Sequence, residues 1–125
     1  MTIQEALDIV DEMKPNMMSR KLKIKYLSEI EGLIHTEILM RHEHTEEEET
    51  CPVYTEESDP GTVLIVPDQY AKVYTDWLMT KIDIQNQEDA RYNVDRAQFE
   101  NSYDTMSDWW TRTRMPLQAR REFQI

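Results

Sequence analysis

Hydrophobic residues recur every three to four positions through most of the chain, which predicts helices. A first helix begins after Thr2, because Thr2 and Glu5 have the spacing of a capping box. It ends before Pro15, which disfavours helical geometry at Lys14. With three further stretches of this kind, the pattern predicts an all-α fold, a small helical bundle of about four helices.

A second helix is predicted to begin near Asn16 or Ser19 and to run to about Met40. Gly32 lies inside it, and the expected benefit of this glycine is the close approach of a neighbouring helix. The predicted apolar stripe consists of Leu22, Tyr26, Leu27, Ile30, Leu33, Ile34, Ile38 and Leu39.

Two more helices are predicted in the second half, from Pro67 to Asn86 and from about Glu88 to Arg112. Asn86 suits a left-handed C-cap, and a bent helix that continues through this point is the alternative. Both stripes are interpreted as core and not as a ligand pocket. The first contains Tyr70, Val73, Tyr74, Trp77, Leu78 and Ile82, and the second contains Phe99, Tyr103, Met106 and Trp110.

Residues 41–63 between these halves are predicted to form a long loop, because glutamates, Pro52, Pro60 and Gly61 interrupt regular structure. The apolar run from Val63 to Val66 is expected to be a short strand or a segment that covers the core. The loop carries eight acidic residues against Arg41 alone, a net charge of −7 out of −11 for the chain. Residues 112–125 form a basic arm with a net charge of +3.

The length of 125 residues is typical of one domain, here divided into residues 1–111 and the arm 112–125. A net charge of −11 argues against a general nucleic-acid binder and against attraction to anionic lipids. No apolar run approaches the roughly 18 residues that a membrane span needs, and the N-terminus lacks the features of a signal peptide. The single cysteine excludes an internal disulfide, so a reducing cytoplasm is expected.

No constellation typical of an enzyme is apparent, and neither a cofactor nor a metal is expected. His42 and His44 are two residues apart and therefore do not share a helical face, and no further ligand pattern accompanies them. Cys51 has acidic neighbours, which disfavour a reactive thiolate. Five aspartates are interpreted as solvated helix surface, namely Asp83, Asp89, Asp95, Asp104 and Asp108.

The acidic loop and the basic arm remain as candidate interaction sites. The loop suits a basic partner or a rim that repels phosphate, although a merely solubilising surface explains it equally well. Its candidate residues are Glu46, Glu47, Glu48, Glu49, Glu56, Glu57 and Asp59. The arginines of the arm suit an acidic protein surface, such as that of a sister subunit.

Several short motifs are spread along the chain, namely Lys14-Pro15-Asn16, Tyr26 to Gly32, Val66-Pro67, Tyr70, Tyr74, Trp77-Leu78, Lys81-Ile82-Asp83, Asn86, Glu88, Arg91-Tyr92-Asn93, Phe99, Tyr103, Trp109-Trp110 and Arg112 to Pro116. Together they resemble those of a group of small proteins from prophages and tailed phages of Gram-positive bacteria, the head–tail connector (adaptor, or head-completion) proteins. The resemblance covers nearly the whole chain except residues 41–63. The group often has Asn-Gly where this chain has Asn86-Gln87, a change that favours the bent or continuous helix.

The resemblance implies a structural virion protein at the head–tail interface, made in the host bacterial cytoplasm. Such adaptors form a ring, typically twelvefold, beneath the portal protein, extend the DNA channel and receive the next neck or tail-completion protein. Genomic DNA would pass without sequence-specific contact. The implied portal or subunit contacts lie in the arm, at Arg112, Arg114, Met115, Pro116, Arg120, Arg121, Phe123 and Ile125. An acidic regulatory protein that mimics DNA, or a phage assembly chaperone, is the alternative.

Overall fold

The computed structural model describes residues 1–117 and contains α1 (Ile3–Met13), α2 (Arg20–Glu37), α3 (Lys72–Asn86) and α4 (Asp89–Thr113) in that range. Three short 3₁₀ turns accompany them, at Leu39–Arg41, Glu47–Glu49 and Asp68–Tyr70. Two isolated β-bridges are the only extended pairings in the same range. The predicted all-α bundle of four helices is therefore confirmed.

The first two helices begin where their capping residues predict. The hydroxyl of Thr2 accepts a hydrogen bond from the amide of Glu5 at 3.1 Å. Ser19 does the same for the amide of Leu22 at 3.1 Å, so α2 begins at the later of the two predicted positions. After Glu37 the chain continues as the 3₁₀ turn Leu39–Arg41, so helical structure extends close to the predicted end at Met40.

The third helix begins later than predicted. Pro67 precedes a 3₁₀ turn and does not occupy the first position of α3. In that turn the amide of Tyr70 donates to the carbonyl of Pro67 at 2.9 Å, a pairing three residues apart. The α-helical pairing is established only from Lys72 onward.

The connection between α3 and α4 is a turn, so the continuous or bent helix is wrong. Gln87, and not Asn86, adopts the left-handed conformation, with φ 58° and ψ 40°. The amide of Glu88 donates to the carbonyl of Asp83 at 3.0 Å, and the amide of Gln87 donates to the carbonyl of Ile84 at 3.2 Å. This pair of bonds is the Schellman motif, and it compensates for the cost of a left-handed residue other than glycine.

The core lies between the apolar faces of all four helices, and α3 and α4 pack along each other as an antiparallel hairpin. The predicted core residues of α3 and α4 are buried or packed against the core. On α2, however, Leu33 is exposed, whereas Ile24 and Glu31 are buried. A β-carbon on Gly32 would lie 3.8 Å from Cys51 Sγ. The segment that packs against this glycine is therefore the loop, and the predicted close approach of a neighbouring helix is wrong.

Within residues 1–117, none of the helices combines the length and the apolar character needed to cross a membrane.

Candidate functional site

The acidic loop packs along α2 and does not project away from it. His35 Nε2 on α2 lies 2.7 Å from the carbonyl oxygen of Glu48 and donates to it. About two turns earlier on α2, the hydroxyl of Ser28 accepts from the amide of Tyr54 at 3.0 Å. The loop therefore runs antiparallel to α2, and residues 42–66 are called the strap below. The predicted segment over the core is its last part, because Leu64 and Val66 are buried.

Glu31 fixes the strap to both α2 and α3. Its buried carboxylate accepts hydrogen bonds from Tyr54 Oη at 2.8 Å, Tyr74 Oη at 2.5 Å and the amide of Ile65 at 2.9 Å. Tyr74 Oη in turn accepts from the amide of Val66 at 2.9 Å. Burial raises the pKa of Glu31, and the three donors oppose that shift because they favour the charged form.

The first residues of the C-terminal segment contact the strap of the same chain. Arg114 Nη1 lies 3.1 Å from one carboxylate oxygen of Glu48 and 3.3 Å from the other. Its guanidinium also lies over the ring of Trp110, 5.0 Å from the ring centre. The amide of Glu43 donates to the carbonyl of Met115 at 3.0 Å. Basic and acidic segments therefore meet within a single chain.

Only one of the four consecutive glutamates takes part in this contact. Glu48 accepts from the amide of Thr45 at 2.9 Å, and this bond contributes most to lowering its pKa, with Arg114 contributing further. The side chains of Glu46, Glu47 and Glu49 are exposed. The strap therefore presents three outward carboxylates beside one that anchors the C-terminal segment.

The remaining predicted acids lie elsewhere on the strap. Glu56 lines a groove of about 730 Å³ with Leu22, Lys25 and Val53. Glu57 and Asp59 are exposed near the start of α1, where the carbonyl of Pro60 accepts from the amide of Gln4 at 3.0 Å. Lys25, which lines the groove, and His35, which bonds the carbonyl of Glu48, are about 15 Å apart along α2 at a rise of 1.5 Å per residue. The seven predicted acids therefore form two separate groups.

The predicted arm residues are also divided. Arg112 is exposed and belongs to the last turn of α4, so the segment that follows the helix begins at Arg114. Met115 is 46% exposed, and Pro116 forms a β-bridge with His42. The other predicted arm residues lie outside the described residues, namely Arg120, Arg121, Phe123 and Ile125.

A second polar cluster, which sequence reasoning missed, joins α1 to the α3–α4 hairpin. Lys14 Nζ contacts the carboxylate of Asp83 and lies 2.9 Å from that of Asp95. The side chain of Asp83 is fully buried and that of Asp95 is 13% exposed, so their assignment to solvated surface is wrong. A sequence signal was present on α3, where Asp76, Thr80 and Asp83 follow each other at helical spacing and are all buried.

The other three aspartates of the predicted surface, Asp89, Asp104 and Asp108, are exposed as expected. The ring of His42 is occupied by structural contacts, because Nδ1 lies 2.7 Å from the Ile38 carbonyl and Nε2 lies 3.2 Å from the Thr111 hydroxyl. No group of three or more metal-ligating side chains is arranged around a common point in residues 1–117.

The fold and this geometry define a small all-α protein in which an acidic strap holds the start of a basic C-terminal segment. Neither protein-family models, nor curated proteins, nor solved structures match the chain.

Proposed function

We propose that this protein is a non-enzymatic head–tail connector of a tailed phage, an adaptor that forms a ring beneath the portal protein. The resemblance described above motivates the proposal, and one observation carries it structurally. The contact between Arg114 and Glu48 holds the start of the basic C-terminal segment on the acidic strap. A segment anchored in this way is suited to reach a portal or a sister subunit, where arginines pair with carboxylates.

The charge of the strap supports the second part of the proposal, a channel through which DNA passes. Glu46, Glu47 and Glu49 carry exposed carboxylates next to the anchored segment. A ring of such subunits would surround DNA with negative charge, which repels phosphates and avoids the release of counterions that makes DNA binding tight. DNA would then slide without a sequence-specific contact.

The groove beside α2 supports contacts with further proteins of the particle. Leu22 and Val53 present apolar surface there, and Lys25 and Glu56 add charges of opposite sign. A neighbouring copy, or the next neck or tail-completion protein, could bury this surface in the assembled ring. In the proposed function the protein is part of the virion.

The test is to mix the protein with the portal encoded in the same genome and to image the product by electron microscopy. We expect a ring of additional density beneath the portal. The double variant R120E/R121E should lose this ring, since it replaces two arm arginines by glutamates. The charge-matched control R41E/K72E changes two exposed cations that lie outside the groove and the arm, and it should retain the ring. Absence of a ring with the wild type, together with absence of the protein from purified particles, would reject the proposal.

The three exposed glutamates favour a second candidate, an acidic regulatory protein that mimics DNA. This candidate predicts a monomer or dimer that binds a basic protein at low salt. The variant E46Q/E47Q/E49Q should abolish that binding, and it leaves the structural Glu48 intact. An assembly chaperone, by contrast, would be abundant in infected cells and missing from finished particles.

A further inference from the structure

Three helices meet at one buried charged cluster near the α3–α4 turn. Lys14 follows α1, Asp83 lies on α3 and Asp95 lies on α4, and the lysine contacts both carboxyls. The side chains of Lys14 and Asp83 are 8% and 0% exposed. Water therefore contributes little to the solvation of Asp83, so its ionisation depends on the neighbouring side chains.

The cluster has fewer donors than its carboxyl oxygens require. Asp83 Oδ2 is buried and has no hydrogen-bond partner among the described residues. The carboxyls of Asp83 and Asp95 nevertheless lie side by side, because both contact the same ammonium, Lys14 Nζ. Two ionised carboxylates are both acceptors and repel each other, whereas a single proton between them converts this contact into a hydrogen bond.

The other charged side chains around the cluster do not balance the charge of two ionised aspartates. Glu88 Oε2, in the turn between α3 and α4, lies 3.8 Å from Lys14 Nζ and adds a third carboxylate. From α4, Arg91 acts on Asp95 through its charge. With both aspartates ionised, the cluster would hold three carboxylates against two cations, one of which is exposed.

We propose that Asp83 and Asp95 hold one proton between them, which makes the joint between α1 and the α3–α4 hairpin sensitive to pH. Burial raises the pKa of Asp83 to about 6, with Asp95 adding to the shift and Lys14 opposing it. Burial also acts on Asp95, but the hydrogen bonds from Asp83 and Lys14 outweigh it and lower the pKa of Asp95.

The direction of the pH effect follows from proton linkage. A folded-state pKa above the ordinary value of 3.8 means that the folded chain holds more protons than the unfolded chain between pH 3.8 and about 6. The contribution of Asp83 to stability is therefore complete at low pH, falls across this interval and is lost above it. This inference concerns the isolated chain and does not depend on the proposed function.

Carbon-13 NMR of the side-chain carboxyls in the wild-type protein tests the proposal directly. We expect the resonances of Asp83 and Asp95 to titrate in two separate steps, one above and one below the ordinary range of aspartate. Each resonance should respond to both steps, because the two groups are coupled. A single step for both groups at or below the ordinary aspartate pKa would overturn the proposal.

The variant D83N provides a second, independent test. Its amide can donate to Asp95 and its carbonyl can accept from Lys14, so it imitates the protonated aspartic acid. We expect the ratio of the folding equilibrium constants of D83N and wild type to rise on the order of tenfold between pH 5 and pH 8. The control D104N, at an exposed position of α4, should show a constant ratio. A constant ratio for D83N would contradict the shared proton.

Discussion

Among residues 1–117, two carboxyls are fully buried, Glu31 and Asp83, and their charge is stabilised by different kinds of partner. Glu31 accepts three hydrogen bonds from neutral donors, two tyrosine hydroxyls and one backbone amide. Asp83 contacts a single ammonium, which it shares with Asp95, and one of its oxygens has no hydrogen-bond partner among the described residues. Burial raises the pKa of both groups, but only around Glu31 do the donors suffice for a charged oxygen pair.

The two clusters stabilise the fold in different ways. The Glu31 cluster connects segments far apart in the chain, because Tyr54 and Ile65 belong to the strap and Tyr74 belongs to α3. It is a dense set of short hydrogen bonds, which holds one conformation. The Asp83 cluster holds helices together by charge, and its strength changes when a proton is gained or lost.

The largest effect is expected for E31A. The substitution removes the shared acceptor, so the hydroxyls of Tyr54 and Tyr74 and the amide of Ile65 lose their partner in the interior. Unsatisfied buried groups cost about 1–3 kcal/mol each, and we expect a loss of about 4 kcal/mol in the free energy of unfolding. Urea denaturation measures this loss in the free energy of unfolding.

The control for E31A is E29A, two positions earlier on α2, where the side chain is exposed. Its loss should stay within about 0.5 kcal/mol. If E31A and E29A unfolded at the same urea concentration, Glu31 would not hold the strap in solution.

The next largest effect is expected for K14M. Without the ammonium, Asp83 and Asp95 face each other with no cation in contact, and we expect a loss of about 3 kcal/mol at pH 7. The loss should shrink at pH 5, because both carboxyls then gain protons more readily. Urea denaturation of K14M and of the exposed control K21M at the two pH values measures the difference. An equal loss for K14M at both values would argue against an electrostatic role of the lysine.

The sequence predicts the helices well because their apolar periodicity and capping residues are local properties. Thr2 and Ser19 begin α1 and α2, and the steps from Phe99 to Trp110 define the buried face of α4. The left-handed turn was predicted one residue too early, at Asn86 instead of Gln87, because the Schellman bonds and not the residue type decide which residue is left-handed.

The candidate sites were less predictable for a different reason. The pairing of Glu48 with Arg114 joins residues 66 positions apart, and that of Lys14 with Asp83 joins residues 69 apart. Periodicity contains no information on such partners, so charged residues were assigned to the surface by default. Arg114 pairs with an acidic residue of its own chain, and the predicted contacts of the arm with a sister subunit or the portal stay predictions.

A moderate effect is expected within the Glu31 cluster, from Y74F and Y54F. Each variant removes one donor to Glu31, but Y74F also removes the acceptor for the amide of Val66. We expect losses of about 2 kcal/mol for Y74F and about 1 kcal/mol for Y54F. Comparison of their urea midpoints tests the order, and the reverse order would mean that Val66 finds another acceptor.

The smallest effect on stability is expected for R114A. Arg114 and Glu48 are 33% and 28% exposed, so solvent and salt screen their pairing, and its removal should cost about 0.5 kcal/mol. The local effect should be larger than the global one, because the amide of Glu43 depends on the position of Met115. Hydrogen exchange at this amide should accelerate in R114A and stay unchanged in R112A, which alters an exposed arginine of α4. Equal exchange in both variants would mean that the backbone bond alone holds the C-terminal segment on the strap, and that the ion pair adds nothing to its anchoring.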